Sequence, residues 1–101
     1  MTALAEIKQA VSANLHVTIA DIEGKRRLAH IAFARQVVYY AAKRALGWSD
    51  LAIAEACGVE RSGVSYAIRQ VQNAIDNREH RARHVPEIVE ELSSRKSKIA
   101  A

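Results

Sequence analysis

The chain has 101 residues, half of them apolar, a net charge of +4 with histidine neutral, and a single cysteine. That length supports one modest core and not a core plus a nucleotide-binding domain, and the lone Cys57 excludes an internal disulfide. No apolar run approaches the length of about eighteen residues needed to span a membrane, and no charged-then-apolar leader is visible, so the chain reads as soluble and cytoplasmic with no membrane partner.

One proline and four glycines in an alanine-rich sequence indicate an all-α fold. The charge is unevenly placed. Residues 1–23 hold one base and three acids. Residues 24–44 hold six bases (Lys25, Arg26, Arg27, Arg35, Lys43, Arg44) and no acid, and residues 60–84 hold five arginines against three acids. A solvated surface ordinarily mixes its signs, so this clustering favours a polyanionic partner.

Leu4, Ile7, Val11 and Leu15 recur at spacings of three and four, which predicts an amphipathic helix over residues 3–15 with Thr2 as its N-cap. Thr18 followed by Asp21 has the outline of a capping box, opening a short helical turn through Ile19 and Ile22 that ends at Gly24. Lys25, Arg26 and Arg27 then form a basic loop. The longest apolar-periodic segment runs from about Leu28 to Leu46, with Ile31, Ala34, Val38, Ala41, Ala42 and Ala45 on one face. Gly47 suits the position after a helix end, Trp48 can fold back on the core, and Ser49 is a natural N-cap for the next helix.

The stretch Asp50–Arg69, DLAIAEACGVERSGVSYAIR, has the spacing of a helix-turn-helix. Two helices cross closely only over a small residue, which Ala54 supplies, and the turn wants a residue at ease with positive φ, which Gly58 supplies. Ile53, Cys57, Val59, Val64 and Ile68 are expected to fill the wedge between the helices, with Cys57 acting as a small apolar residue rather than a reactive thiol. Arg61, Ser62, Ser65, Tyr66 and Arg69 are expected to face outward. All can donate a hydrogen bond, as a groove-reading helix requires; the plainer reading is a solvated helical hairpin. The second helix should continue to about Asn77. Gly63, near its start, costs roughly 1 kcal/mol against alanine in a helix interior, and is explained either by close approach to a DNA backbone or by a frayed first turn.

Residues 78–84, REHRARH, form a basic connector. His80 and His84 stand four apart but lack the neighbouring ligands of an HExxH motif, so no metal site is expected. Pro86 opens a last helix over residues 85–94 with Ile88, Val89 and Leu92 on its apolar face. It either closes the core or pairs with a second copy, and residues 95–101 read as a basic disordered tail. Residues 1–84 are thus expected to form the helix-turn-helix domain, with the motif at 50–69.

Three segments in this order, HVTIADIEGKRR, ARQVVYYAAKRALGWSDLAIAEACG and VERSGVSYAIRQV, resemble the C-terminal DNA-binding domain of the DnaA replication initiator family over roughly residues 11–76. The resemblance implies a helix-turn-helix bundle of about five to six helices, also similar to the Trp repressor. It implies that a basic-loop arginine, here Arg27, enters the minor groove. It also implies that Arg35 and Gln36, matching the family's Arg-Gln pair, contact a phosphate and a base edge. The chain departs from the family signature where Glu60, Arg61, Ser62 and Gly63 stand in place of Asp, His, Thr and Thr, so the methyl groups that would pack on thymine are gone and a cation replaces an imidazole.

The expected function is therefore sequence-specific binding of double-stranded DNA, acting in or regulating replication initiation in the bacterial nucleoid. Arg61, Ser62, Ser65 and Tyr66 would face bases in the major groove. Arg69 and Lys43 would contact phosphates, and Arg26 and Arg27, with Lys25 beside them, would reach the neighbouring minor groove. The one Gly-Lys pair, Gly24 and Lys25, lacks the rest of a phosphate loop, so no ATP chemistry, cofactor or catalytic residue is expected and the chain reads as a free-standing copy of the DNA-reading domain. Two alternatives stay open: a small dimeric transcriptional repressor, and an interaction module for the replication machinery with the initiator protein as partner.

Overall fold

Hydroxyl side chains decide where three of the helices begin. In the computed structural model, which describes residues 2–95, Thr2 Oγ1 accepts the Ala5 N–H at the start of α1 (Ala3–Leu15). Thr18 Oγ1 accepts the Asp21 N–H at the start of α2 (Ile19–Glu23), and Ser49 Oγ accepts the Ala52 N–H at the start of α4 (Asp50–Cys57). Such caps satisfy backbone donors that have no partner inside the helix. The long α3 (Ala29–Leu46) starts without a side-chain cap at Leu28 and closes on Gly47, whose φ is 75°. The second helix of the motif, α5 (Arg61–Asp76), is followed by one 3-10 turn (His80–Ala82) and by α6 (Val85–Ser94).

The core is built round α3. Nine of its 18 residues are buried, including Phe33, Val37 and Tyr40 besides the face read from the sequence. α1, α2, α4, α5 and α6 all pack against it. The burial is wider than one apolar stripe because α3 is surrounded. Its alanines let neighbouring helices approach, and Ile7, Val11, Ile53, Val64, Val71, Ile88 and Leu92 from those neighbours are completely buried. Burying one such side chain contributes roughly 1.5–3 kcal/mol. The last helix closes this same core through Val85, Ile88 and Leu92. Arg95, the first residue of the expected tail, is the C-cap of α6 and is ion-paired to Glu6 and Glu91, so it is not part of a disordered tail; residues 96–101 lie outside the described residues.

Within the motif, the wedge is narrower than its sequence suggested. Ile53, Ala54, Val64 and Ile68 are buried, but Val59 is 41% exposed and Cys57 only half-buried. The reason is the turn. Gly58 adopts φ 67° and the Val59 N–H reaches back to the Ala54 carbonyl at 3.0 Å, which ends α4 and carries Val59 out of the wedge. Burial pushes the Cys57 thiol above its ordinary pKa, which keeps it in the protonated, unreactive form. A Gly58→Ala substitution places a Cβ in the left-handed region and is expected to cost about 1–2 kcal/mol, lowering the melting temperature by several degrees in a calorimetric scan.

Candidate nucleic-acid interface

Two arms of polar residues project from this core, and α3 fastens both. The first is the loop between α2 and α3. Lys25, Arg26 and Arg27 are exposed, and among the described residues only Arg26 has an acidic neighbour, Asp21 at 3.8 Å. Arg35, on the second turn of α3, spends its guanidinium on holding the loop. Nε donates to the Ile22 carbonyl at 3.0 Å, Nη2 to the Asp21 carbonyl at 2.9 Å and Nη1 to the Arg26 carbonyl. These are carbonyls in the last turn of α2, of which that of Asp21 also accepts the Gly24 N–H, and the backbone of the loop itself, so Arg35 sets the direction in which Arg26 and Arg27 leave the protein. Gln36 beside it is half-buried.

The second arm is the start of α5. Arg61, Ser62, Gly63, Tyr66 and Arg69 are exposed, Tyr66 by 54%. Among the described residues Arg61 and Arg69, like Lys25 and Arg27, take part in no ion pair. Glu60 stands at the N-cap without making a side-chain capping bond, so the first-turn N–H groups keep their positive end open to an anion. Ser65 differs from its neighbours. It is half-buried, and its hydroxyl donates to Asp50 Oδ2 at 2.5 Å.

Asp50 is the residue that sequence reasoning passed over. It begins α4, and its other oxygen accepts a 2.7 Å hydrogen bond from Lys43 Nζ of α3. One carboxylate therefore ties α3, α4 and α5 together, and Lys43, although its side chain is 38% exposed, and Ser65 each give a donor to it. The Lys43 bond first, then the Ser65 bond, holds the Asp50 carboxyl below the usual carboxylate range. Spacing could have found it: Lys43 and Asp50 face each other across the tight Gly47–Ser49 turn, but a charge count treats them only as opposite signs.

The two arms meet. Gly24 and Arg35, at the base of the loop, line the same 310 Å³ cavity as Cys57 and Val59 of the interhelical turn. The loop thus leaves the core beside the turn that leads into Arg61. Among the described residues, no three His, Cys, Asp or Glu side chains are placed to hold a metal ion, and no helix is long and apolar enough to cross a membrane.

Two helices crossed over a small residue, an αL glycine between them and an exposed donor face on the second define a helix-turn-helix DNA-binding domain. The chain belongs to the bacterial DnaA family of such domains: the family described as "Bacterial dnaA protein helix-turn-helix" matches residues 4–71. The chromosomal replication initiator proteins DnaA of Lactococcus lactis subsp. cremoris (strain MG1363) and subsp. lactis (strain IL1403) are each 33% identical to it over 73 residues. That similarity covers 71% of this chain and 16% of each relative.

Gly63 has no neighbour within 4 Å of where a Cβ would stand and an ordinary φ, so nothing inside the protein requires glycine there. Gly63→Ala is therefore expected to raise stability by up to about 1 kcal/mol in urea titration while weakening duplex binding. The Asp50 cluster gives a pH signature. A carboxyl with a lowered pKa stabilises the fold above its unfolded value, near 3.9, and loses that contribution as pH falls through the folded value. Melting curves should show the gap between wild type and Asp50→Asn narrowing as the pH is lowered from about 5 toward 2.

Proposed function

We propose that the chain reads double-stranded DNA by placing the first half of α5 in a major groove while the basic loop enters the adjacent minor groove, in replication initiation or its control. The observation that carries this reading is the junction of the two arms: Lys25, Arg27, Arg61 and Arg69, which are in no ion pair among the described residues, follow the start of the loop and the interhelical turn, and these two segments line one cavity. Arg61 and Ser62 address base edges, and Tyr66 supplies an apolar and hydrogen-bonding surface beside them. Gly63 lets the helix approach the backbone, whose phosphate meets the uncapped first-turn N–H groups. Arg69 contacts a phosphate, and Lys25, Arg26 and Arg27 follow the minor groove.

Arg35, Lys43 and Ser65 act here by position. Their polar atoms are bonded to protein groups, so they orient the reading residues rather than reach the duplex. The replication context rests on the family and on the names of the relatives. The altered signature from Glu60 to Gly63 points to a recognition sequence of its own.

Fluorescence anisotropy on a duplex selected from a random pool, at two salt concentrations, tests the reading. Arg61→Ala is expected to cost about 1–3 kcal/mol on the selected site and to relax discrimination there. Arg27→Ala should weaken binding and reduce the salt slope by about one. Arg35→Ala should lower both affinity and melting temperature, whereas Arg27→Ala leaves the melting temperature in place. Unchanged discrimination in Arg61→Ala would show that α5 is not the reading helix.

A further inference from the structure

At the far end of α5 from Arg61 lies a cleft of about 430 Å³ that the proposed DNA contact leaves unused. All four histidines of the chain line it: His16 from the end of α1, His30 from the first turn of α3, His80 from the 3-10 turn and His84 from the start of α6, with Arg81 and Arg83 between the last two. These positions are far apart in sequence, and the packing of α1 and the connector on α3 brings them to one rim. The floor is apolar, formed by Leu15, Ala29 and Phe33. The Arg81 guanidinium lies 4.6 Å from the centre of the Phe33 ring.

Among the described residues no carboxylate lines the cleft. Two stand at its edge. Glu79 accepts a hydrogen bond from Arg81 Nε at 2.7 Å, leaving the terminal nitrogens of Arg81 for another acceptor, and Glu87 lies 3.3 Å from His84 Nδ1. His16 holds φ 55°, in the left-handed region that ends α1, where histidine is among the better-tolerated side chains. The volume falls in the range of about 300–1,000 Å³ typical of binding clefts.

We propose that this cleft docks an acidic peptide segment of a partner protein, its carboxylates held by the rim and one apolar side chain set on the Leu15–Phe33 floor. This inference does not rest on the DNA reading. A phosphate backbone is tracked by permanently charged lysines and arginines, and the cleft carries two of these, Arg81 and Arg83, besides those of the loop and α5. What sets the cleft apart from those segments is its apolar floor of Leu15, Ala29 and Phe33, which suits an apolar side chain of a peptide and not a phosphate. The 16 residues of α5 span about 24 Å, so a peptide in the cleft leaves the first turn of α5 clear.

The charged groups that line or edge the cleft are Arg81, Arg83, Glu79 and Glu87; the two acids are already held at the rim, by Arg81 and His84.

The test selects peptides of about twelve residues from a displayed random library against the intact chain. The enriched peptides are then labelled and titrated by anisotropy. They are expected to carry several acids around an apolar residue. They should lose about tenfold on His30→Glu, with duplex binding unchanged. His30 is exposed, so its variant should melt like wild type; Arg83→Gln, also exposed, is the second variant and is expected to lose affinity in the same assay. Enriched peptides no more acidic than the library, or equal binding to wild type and both variants, overturns the proposal. So does loss of duplex binding in His30→Glu as large as in Arg61→Ala, which would make the cleft part of the nucleic-acid surface.

Discussion

The fold depends on α3 being covered on nearly every side. A helix in that position can expose few polar groups, and two of those it carries have a specific task at the edge of the core. Arg35 and Lys43 stand eight residues apart, about 12 Å along the axis, and each fastens a different projecting arm. Arg35 holds the loop of cations through three backbone carbonyls, and Lys43 holds the motif through Asp50. The position of both arms is therefore set by one buried helix. Neither arm has an apolar core of its own.

That arrangement explains the choice of residue types. Three carbonyls in different directions suit a planar guanidinium with several donors, and a lysine ammonium at the end of a flexible stem would not span them. Asp50 offers two oxygens, one for a lysine on α3 and one for a serine on α5, so a single carboxylate links three helices at the boundary of the core. Among the described residues no side-chain polar atom is buried without a partner, and the core itself contains no charged group. The polar interactions thus orient the surface while apolar burial supplies stability.

The two ends of α5 differ in kind. At its start the cations are permanent and exposed, in no ion pair among the described residues, and the helix has no side-chain cap. At its other end the connector folds back over Phe33 and collects imidazoles and two arginines about an apolar hollow. Membership of the DnaA helix-turn-helix family covers residues 4–71 and so stops before that connector. The histidine cleft is made jointly by residues inside the family match, at the ends of α1 and α3, and by residues beyond it.

The sequence alone determined the helices. Thr2, Thr18 and Ser49 as caps, Gly47 and Gly58 as terminators and the apolar spacing of each segment are local signals, carried by the chain wherever it goes. The same locality made the exposed face at Arg61, Ser62, Tyr66 and Arg69 legible, because a helix of known register fixes which residues turn outward once its apolar stripe is buried. Tertiary structure decided which polar side chains are engaged within the protein. Arg35 finds carbonyls 9 to 14 residues away and Ser65 finds Asp50 15 residues away, and no pattern along the chain reports such distances. It also decided the cleft, since four histidines dispersed from position 16 to position 84 come to share one environment only when α1 and the connector pack on α3. A hydrogen bond or a binding site between distant segments is a property of packing, and packing is set by all the buried side chains together.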